Sequence, residues 1–309
     1  VNQLDNKEDI IAALVDGVPR DLDYVLEKDA DVEFLTYGDE EGKKIFWHSG
    51  AHILAQAVKR LFPNAKLGIG PAIETGFYYD FEVERPFTPD DLKKIEEEMR
   101  KIIKENLKIT RKVLSKEEAK KVFSRRGEKF KLELLDELKG DVKGDVTVYE
   151  QGEFVDLCRG PHVPRTGYIK HVKLLSSSGA YWRGDETRES LQRIYGIAAP
   201  KEKQIKEFLR QLEEARARDH RVLGPQLGIY SIEESLGPGL ILWHPNGTVI
   251  RRLIEKFWVE EHVKRGYELV TSPHIARAEL WHISGHYDYY REYMATLKFG
   301  QTEYVLKPM

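Results

Sequence analysis

The sequence contains one cysteine, three methionines and no long apolar run among its 309 residues. A lone cysteine excludes an internal disulfide and suits a reducing compartment, so a cytoplasmic location is expected. No apolar stretch approaches the ~18 residues that a membrane helix requires, and the first residues lack the pattern of a secretory leader. No membrane partner is expected. The formal net charge is only −3, which excludes attraction of nucleic acid by a global field and leaves that task to local basic patches. What is present is a balance of 41% hydrophobic and 33% charged residues, that of a folded chain long enough for about two domains.

Against that background the single cysteine stands in a marked setting, Cys158-Arg-Gly-Pro-His162. Gly160, Pro161 and Pro164 keep this stretch from being a long helix. A second pair with the same gap, His48-Ser-Gly-Ala-His52, falls in a helical pattern whose buried stripe is Leu54, Ala57, Val58, Leu61 and Phe62. Residues four apart share a helix face, and these imidazoles lie roughly 130° from the centre of the stripe, so they are expected at its edge, looking into a cleft. Three imidazoles and a thiol suit a tetrahedral Zn²⁺ site (His48, His52, Cys158, His162) if they converge, or a proton-transfer and nucleophile set without metal. Ser49 follows the first histidine where a zinc protease carries glutamate, so that mechanism is excluded.

In chain order, residues 1–40 read as short strands with a turn at Asp16-Gly17. The histidine helix runs from Ile45 to about Phe62, ended by Pro63-Asn64. Thr88-Pro89-Asp90-Asp91 starts a helix with Leu92, Ile95, Met99, Ile102 and Ile103 inward. Ser115 to Glu118 is a capping box, and Gly127–Leu138 forms a helix carrying Lys129 and Lys131. Gly140-Asp141 and Gly144-Asp145 turn the pattern to strands: 146–149 and 154–158 form a hairpin that brings Asp156 and Cys158 to one face. Further strands are expected over 168–175 and 191–195. The fold class is α+β and multidomain, with helices on an antiparallel sheet over 41–198. A connecting helix spans 201–221 with Ile205, Phe208, Leu209 and Leu212 buried. From 224 a new unit begins, with a helix over 247–265 (Val249, Ile250, Leu253, Ile254, Phe257 and Trp258 as its stripe) and a strand over 267–273.

Several stretches together resemble bacterial-type threonyl-tRNA synthetases: His48-Ser-Gly-Ala-His52, Gly70-Pro-Ala-Ile-Glu-Thr-Gly-Phe-Tyr-Tyr-Asp80, Asp156-Leu-Cys-Arg-Gly-Pro-His162, Gly179-Ala-Tyr-Trp-Arg-Gly-Asp185, Leu191-Gln-Arg-Ile-Tyr-Gly196, Arg218-Asp-His220 and Trp243-His-Pro-Asn-Gly247. The resemblance covers nearly the whole chain. It implies the end of a ubiquitin-like module over 1–40, an editing domain over 41–198, a linker helix over 199–223 and the first part of a class II catalytic domain over 224–309. In that family the helix and strand of 247–273 build a homodimer interface. The family charges tRNA with threonine using ATP, Mg²⁺ and zinc, and the resemblance implies that the synthetic-site zinc ligands lie beyond Met309.

For this chain it implies hydrolytic editing of tRNA mischarged with serine. Serine lacks one methyl, and a methyl in a pocket is worth only ~1–3 kcal/mol, so a second sieve is needed. Carried over by position, the editing residues are His48, His52, Lys131, Asp156, Cys158 and His162, with Tyr79 binding substrate. His48 and Lys131 are expected to activate water, Asp156 to meet the seryl amine, and Cys158 and His162 to crowd out the methyl of threonine. The editing site is expected to work without metal. The aromatic runs 77–79 and 181–182 suit either stacking on the tRNA end or core packing.

Overall fold

A computed structural model describes residues 9–138 and 145–307; the expected turn at 140–144 and the last two residues lie outside that range. Contacts divide the chain into two units, Val1–Ala215 and Arg216–Met309. No helix among the described residues is long and apolar enough to cross a membrane.

The first unit begins with β1 (Ile10–Val15), β2 (Val18–Arg20) and β3 (Val32–Thr36), an antiparallel sheet in the order β2-β1-β3. Helix α1 (Glu40–Leu61) carries the histidines; its acidic first turn and basic last turn match the helix dipole. It starts one turn earlier than the sequence pattern indicates. Next come β4 (Lys66–Leu67), β5 (Ala72–Ile73) and β6 (Gly76–Glu82). Helix α2 (Pro89–Glu105) is held at its start by a Thr88–Asp91 capping box. Strand β7 (Ile109–Ser115) leads into α3 (Lys116–Arg125), which carries the expected box of Ser115 and Glu118. Helix α4 (Lys129–Glu137), the hairpin β8 (Asp145–Gln151) and β9 (Phe154–Leu157), the long strands β10 (His171–Tyr181) and β11 (Ser190–Ala199), and α5 (Glu202–Ala217) follow.

Two further antiparallel sheets organise the rest of this unit. One runs β10-β11-β6-β4, with β5 also on β6; the other runs β7-β8-β9. The main core joins α1 and α2 to the first sheet through Phe46, Ile53, Leu54, Phe77, Phe81, Met99 and Ile194. A second core, with Phe123, Leu135, Val148 and Val155, joins α3 and α4 to the second sheet. Alternation along β9 divides its side chains between them, Phe154 to the first core and Val155 to the second.

Three expectations are corrected. The strand expected from residue 168 begins at His171, because 166–168 form a 3₁₀ turn. The connecting helix ends at Ala217, and Asp219 starts a new one by accepting the Arg221 N–H at 2.8 Å. Along α5 only Ile205 is buried; Phe208 and Leu209 pack partly against it.

The second unit comprises α6 (His220–Gln226), β12 (Tyr230–Ile232), β13 (Ile241–Trp243), α7 (Pro245–Lys264), β14 (Ile275–Arg277), α8 (Glu279–Ile283), α9 (His286–Tyr290), β15 (Thr296–Phe299) and β16 (Thr302–Leu306). Residues 267–273, expected as a strand, have no ladder partner among the described residues, and Val270 is 93% exposed. The apolar stripe of α7 is also exposed, with Leu253 at 62% and Phe257 at 67%.

Candidate functional site

Helix α1 does not carry its histidines at the edge of a stripe. It is buried almost all round, because the sheet covers one side and β8–β9 and the following loop cover another. His52 is buried and His48 half-buried. The two residues after His48 explain the local packing. Gly50 lies against the Phe77 ring, where an added Cβ would come within 2.9 Å. Ser49 Oγ donates to the Ile45 carbonyl at 2.9 Å and accepts the Val163 N–H at 3.0 Å. It also meets His162 Nδ1 at 3.0 Å. All three contacts are hydrogen bonds only if Nδ1 carries the hydrogen, which leaves the lone pair of His162 on Nε2.

That nitrogen faces Cys158 Sγ at 3.2 Å, and His48 Nε2 faces the same sulfur at 3.3 Å. The Gly160 N–H donates to Sγ at 3.1 Å. Gly160 has φ +65, and a Cβ there would lie 1.8 Å from the Tyr149 hydroxyl, so only glycine fits. Tyr149 in turn donates to Asp21 Oδ2 at 2.7 Å, and the His162 N–H donates to Asp21 Oδ1 at 2.9 Å. A carboxylate from the segment after β2 therefore grips the Cys158–His162 loop from outside.

Behind the imidazoles lies a buried charged group. Lys131 on α4 reaches Asp156 Oδ1 at 2.6 Å and the Tyr79 hydroxyl at 3.1 Å. Tyr79 donates to Asp156 Oδ2 at 2.6 Å, and the Leu157 N–H donates to Oδ1 at 2.8 Å. His52 Nε2 lies 3.5 Å from Asp156 Oδ2, and His52 Nδ1 is a buried atom with no hydrogen-bond partner among the described residues. An unpaired charge could not be buried here; the Lys131–Asp156 pair with its extra hydrogen bonds is the form that can.

Burial sets the protonation of the cluster. It lowers His48 to about 4 and His52 to about 3, against the field of Asp156. Burial also takes His162 well below the ordinary histidine value. The Cys158 thiol is pushed up to about 12, mainly by burial. Burial pushes the Asp156 carboxyl up, but the Lys131 ammonium, His52 and the Tyr79 hydroxyl together hold it below the usual range. At neutral pH the site is three neutral imidazoles and a thiol beside one ion pair.

One donor atom from each of His48, His52, Cys158 and His162 lies within 4.8 Å of the others. Zinc bonds of ~2.0–2.3 Å give a tetrahedron with edges of about 3.3–3.8 Å. The Cys158–His48 separation reaches that range and the Cys158–His162 separation lies just under it, and the buried His52 Nδ1 has no hydrogen-bond partner among the described residues, so the set fits a Zn²⁺ ion with small adjustment. A groove of roughly 630 Å³ opens onto Cys158, with Arg111, Arg159, Leu134, Thr147 and Leu157 among its walls.

All seven residues singled out in the sequence thus converge. Sequence reasoning missed Ser49, Asp21 and Tyr149. Ser49 lay inside the quoted motif, and its signal was a hydroxyl between two histidines. Asp21 and Tyr149 carry no local signal, since their roles arise from chain segments 128 residues apart. Of the aromatic runs, Phe77, Tyr79 and Trp182 are core residues, while Tyr181 is 44% exposed.

Residues 146–195 match the family model described as the threonyl and alanyl tRNA synthetase second additional domain; that segment holds Asp156, Cys158 and His162. Over 290 residues the chain is 53% identical to the threonine-tRNA ligase of Caldanaerobacter subterraneus subsp. tengcongensis, covering 94% of this chain and 44% of that one. Over 300 residues it is 52% identical to the threonine-tRNA ligase of Clostridium botulinum strain 657, covering 97% and 47%. A solved structure of the RNA binding domain of threonyl-tRNA synthetase from Cryptosporidium parvum Iowa II aligns at 35% identity over 30% of this chain and 23% of that one. Its TM-score of 0.29 is too low to bear on the fold. The chain spans just under half the length of the two ligases, and over that span it is similar to threonine-tRNA ligases.

Proposed function

We propose that this chain carries a site hydrolysing the ester of tRNA mischarged with serine, within a protein that charges tRNA with threonine using ATP, Mg²⁺ and zinc in the cytoplasm. The observation that carries this reading is the meeting of His48, His52, Cys158 and His162 with the Lys131–Asp156–Tyr79 group, Cys158 also lining a groove that bears two arginines. Arg111 and Arg159 suit the phosphates of a tRNA end. The domain limits implied by the resemblance, 1–40, 41–198, 199–223 and 224–309, are part of this proposal, as is a homodimer through 247–273.

The chemistry follows from the protonation states. His162 holds its hydrogen on Nδ1, so the Cys158 thiol donates to His162 Nε2. His48 then presents Nε2–H to the sulfur and keeps Nδ1 as the basic nitrogen. Being neutral and the least buried of the three imidazoles, His48 takes a proton from the attacking water. The carbonyl carbon gains the water oxygen, the bond to the terminal ribose oxygen breaks, and the proton passes to that oxygen. Lys131 supplies positive charge near the developing oxyanion. Both oxygens of Asp156 are already taken by Lys131, Tyr79 and Leu157, so its charge draws the seryl ammonium through space. Cys158 and His162, fixed by Gly160, Ser49 and Asp21, form the wall that a threonyl methyl would strike.

A zinc ion held by the same four side chains would leave no position for water, as in structural zinc sites, and would occupy the one basic nitrogen of His48. The hydrolytic reading is therefore that of the metal-free cluster.

The test is release of serine from seryl-tRNA for threonine, with threonyl-tRNA as control and a chelator in a parallel reaction. Serine release that spares threonine and persists with chelator is expected. Loss of activity with chelator would transfer the chemistry to a metal, and no release with tRNA still bound would leave only a recognition surface.

A further inference from the structure

The stretch Gly179-Ala-Tyr-Trp-Arg-Gly-Asp185 forms the tip of the β10–β11 hairpin and touches none of the reacting groups described above. It does touch α4. That helix has only nine residues, and its N-terminus has no side-chain cap, so on its own it is too short to persist. Its inward face bears Lys131 and Leu135; the adjoining face bears Phe130, Glu133 and Glu137 and meets the hairpin tip.

The contacts are specific. The Phe130 and Trp182 rings lie 4.5 Å apart, within a small buried cluster that includes Leu191. Trp182 Nε1–H donates to Glu133 Oε1 at 2.9 Å. Arg188 forks onto both oxygens of the same carboxylate at 2.8 Å each. Arg183 forks onto Glu137, with one contact at 2.6 Å. To do so it adopts φ +59 and is followed by Gly184 at φ +73, and Asp185 closes the tip by accepting the Thr187 N–H at 2.9 Å. A lone exposed ion pair would hold little. A bidentate pair sharing its carboxylate with a buried indole is a defined joint.

We infer that this hairpin tip is a clamp that sets the depth of Lys131, with Glu133, Trp182 and Arg188 as positioning residues. The ammonium is buried only because Asp156 and Tyr79 both receive it, so a shift of α4 exposes the amine or strands its partners. The catalytic consequence rests on the editing reading above; the position of Lys131 does not.

Two readouts keep these apart. One is acetylation of Lys131 by acetic anhydride, measured by peptide mass spectrometry on the intact chain. The other is the kcat and KM of seryl-tRNA deacylation. Trp182→Phe keeps a six-membered ring but removes the N–H together with the pyrrole ring of a buried side chain, so its melting temperature is measured alongside. Arg188→Ala removes a side chain that is already partly exposed and is the variant that leaves the fold intact. Each is expected to raise Lys131 acetylation about tenfold while leaving exposed Lys206 unchanged. Each is expected to lower kcat about tenfold with KM nearly constant. Arg188→Lys keeps the charge but not the fork, so it should restore only part of both. Unchanged Lys131 acetylation in Trp182→Phe and Arg188→Ala overturns the clamp whatever happens to kcat. Raised acetylation in a chain whose unmutated form releases no serine supports the clamp and removes the editing reading instead.

Discussion

At the scale of single residues, desolvation decides the state of this site. His48, His52 and His162 are neutral because burial disfavours their charged forms. In the unfolded chain each titrates near 6.5. Between that value and the folded values the unfolded state binds more protons, so stability is full above about pH 6.5 and falls as pH drops towards 4. For His48 alone, lowered to about 4, the loss is about 3 kcal/mol across that window. Urea unfolding at pH 7.5, 6 and 4.5 is therefore expected to give steadily lower midpoints. Replacing His48 and His52 by glutamine should flatten the trend; a trend of equal slope in that double variant would assign it elsewhere. The raised thiol acts in the opposite sense. Cys158, pushed up to about 12, stays protonated in the fold while the unfolded thiol ionises, so stability also falls as pH rises above about 8.5–9.

At the scale of elements, periodicity located nearly every helix that matters. The capping boxes at Thr88 and Ser115 formed as local chemistry requires, since their hydrogen bonds close within three residues. The β8–β9 hairpin also formed, and period-two alternation sent Asp156 towards α1. Periodicity did not reveal that α1 would be enclosed on several sides, because a stripe analysis sees one packing partner and this helix has more than one. The Cys158–His162 loop shows the limit from another side: its glycine was legible, but its reason was not. With the Tyr149 hydroxyl 1.8 Å from the missing Cβ and φ at +65, Gly160→Ala must move the loop or the tyrosine. A loss of about 2–4 kcal/mol is expected, together with loss of serine release. A variant with an unchanged melting temperature and normal turnover would show that the Tyr149–Asp21 grip is dispensable.

At the scale of the whole molecule, the exposed stripe of α7 is the largest departure from ordinary packing. Val249, Leu253, Ile254, Phe257 and Trp258 each leave more than half of their surface exposed, and contiguous apolar faces of this kind mark association. Sedimentation is expected to find self-association at micromolar concentration, and Leu253→Glu with Phe257→Glu should abolish it. A monomeric parent chain would remove the homodimer from the proposal. Under the editing proposal every residue of the site lies in the first unit, so the double variant should retain serine release.

The sequence by itself determined which residue types carry the chemistry. It also determined the α+β pattern, the helix starts and the strand alternation, because each of these is a matter of nearest neighbours along the chain. Tertiary structure alone decided that the four metal-type ligands face one another, that Lys131 is buried against Asp156 rather than solvated, and that Asp21 and Ser49 fix His162. Those outcomes depend on which distant segments share a desolvated space. Both the pKa values and the roles of these groups follow from that sharing.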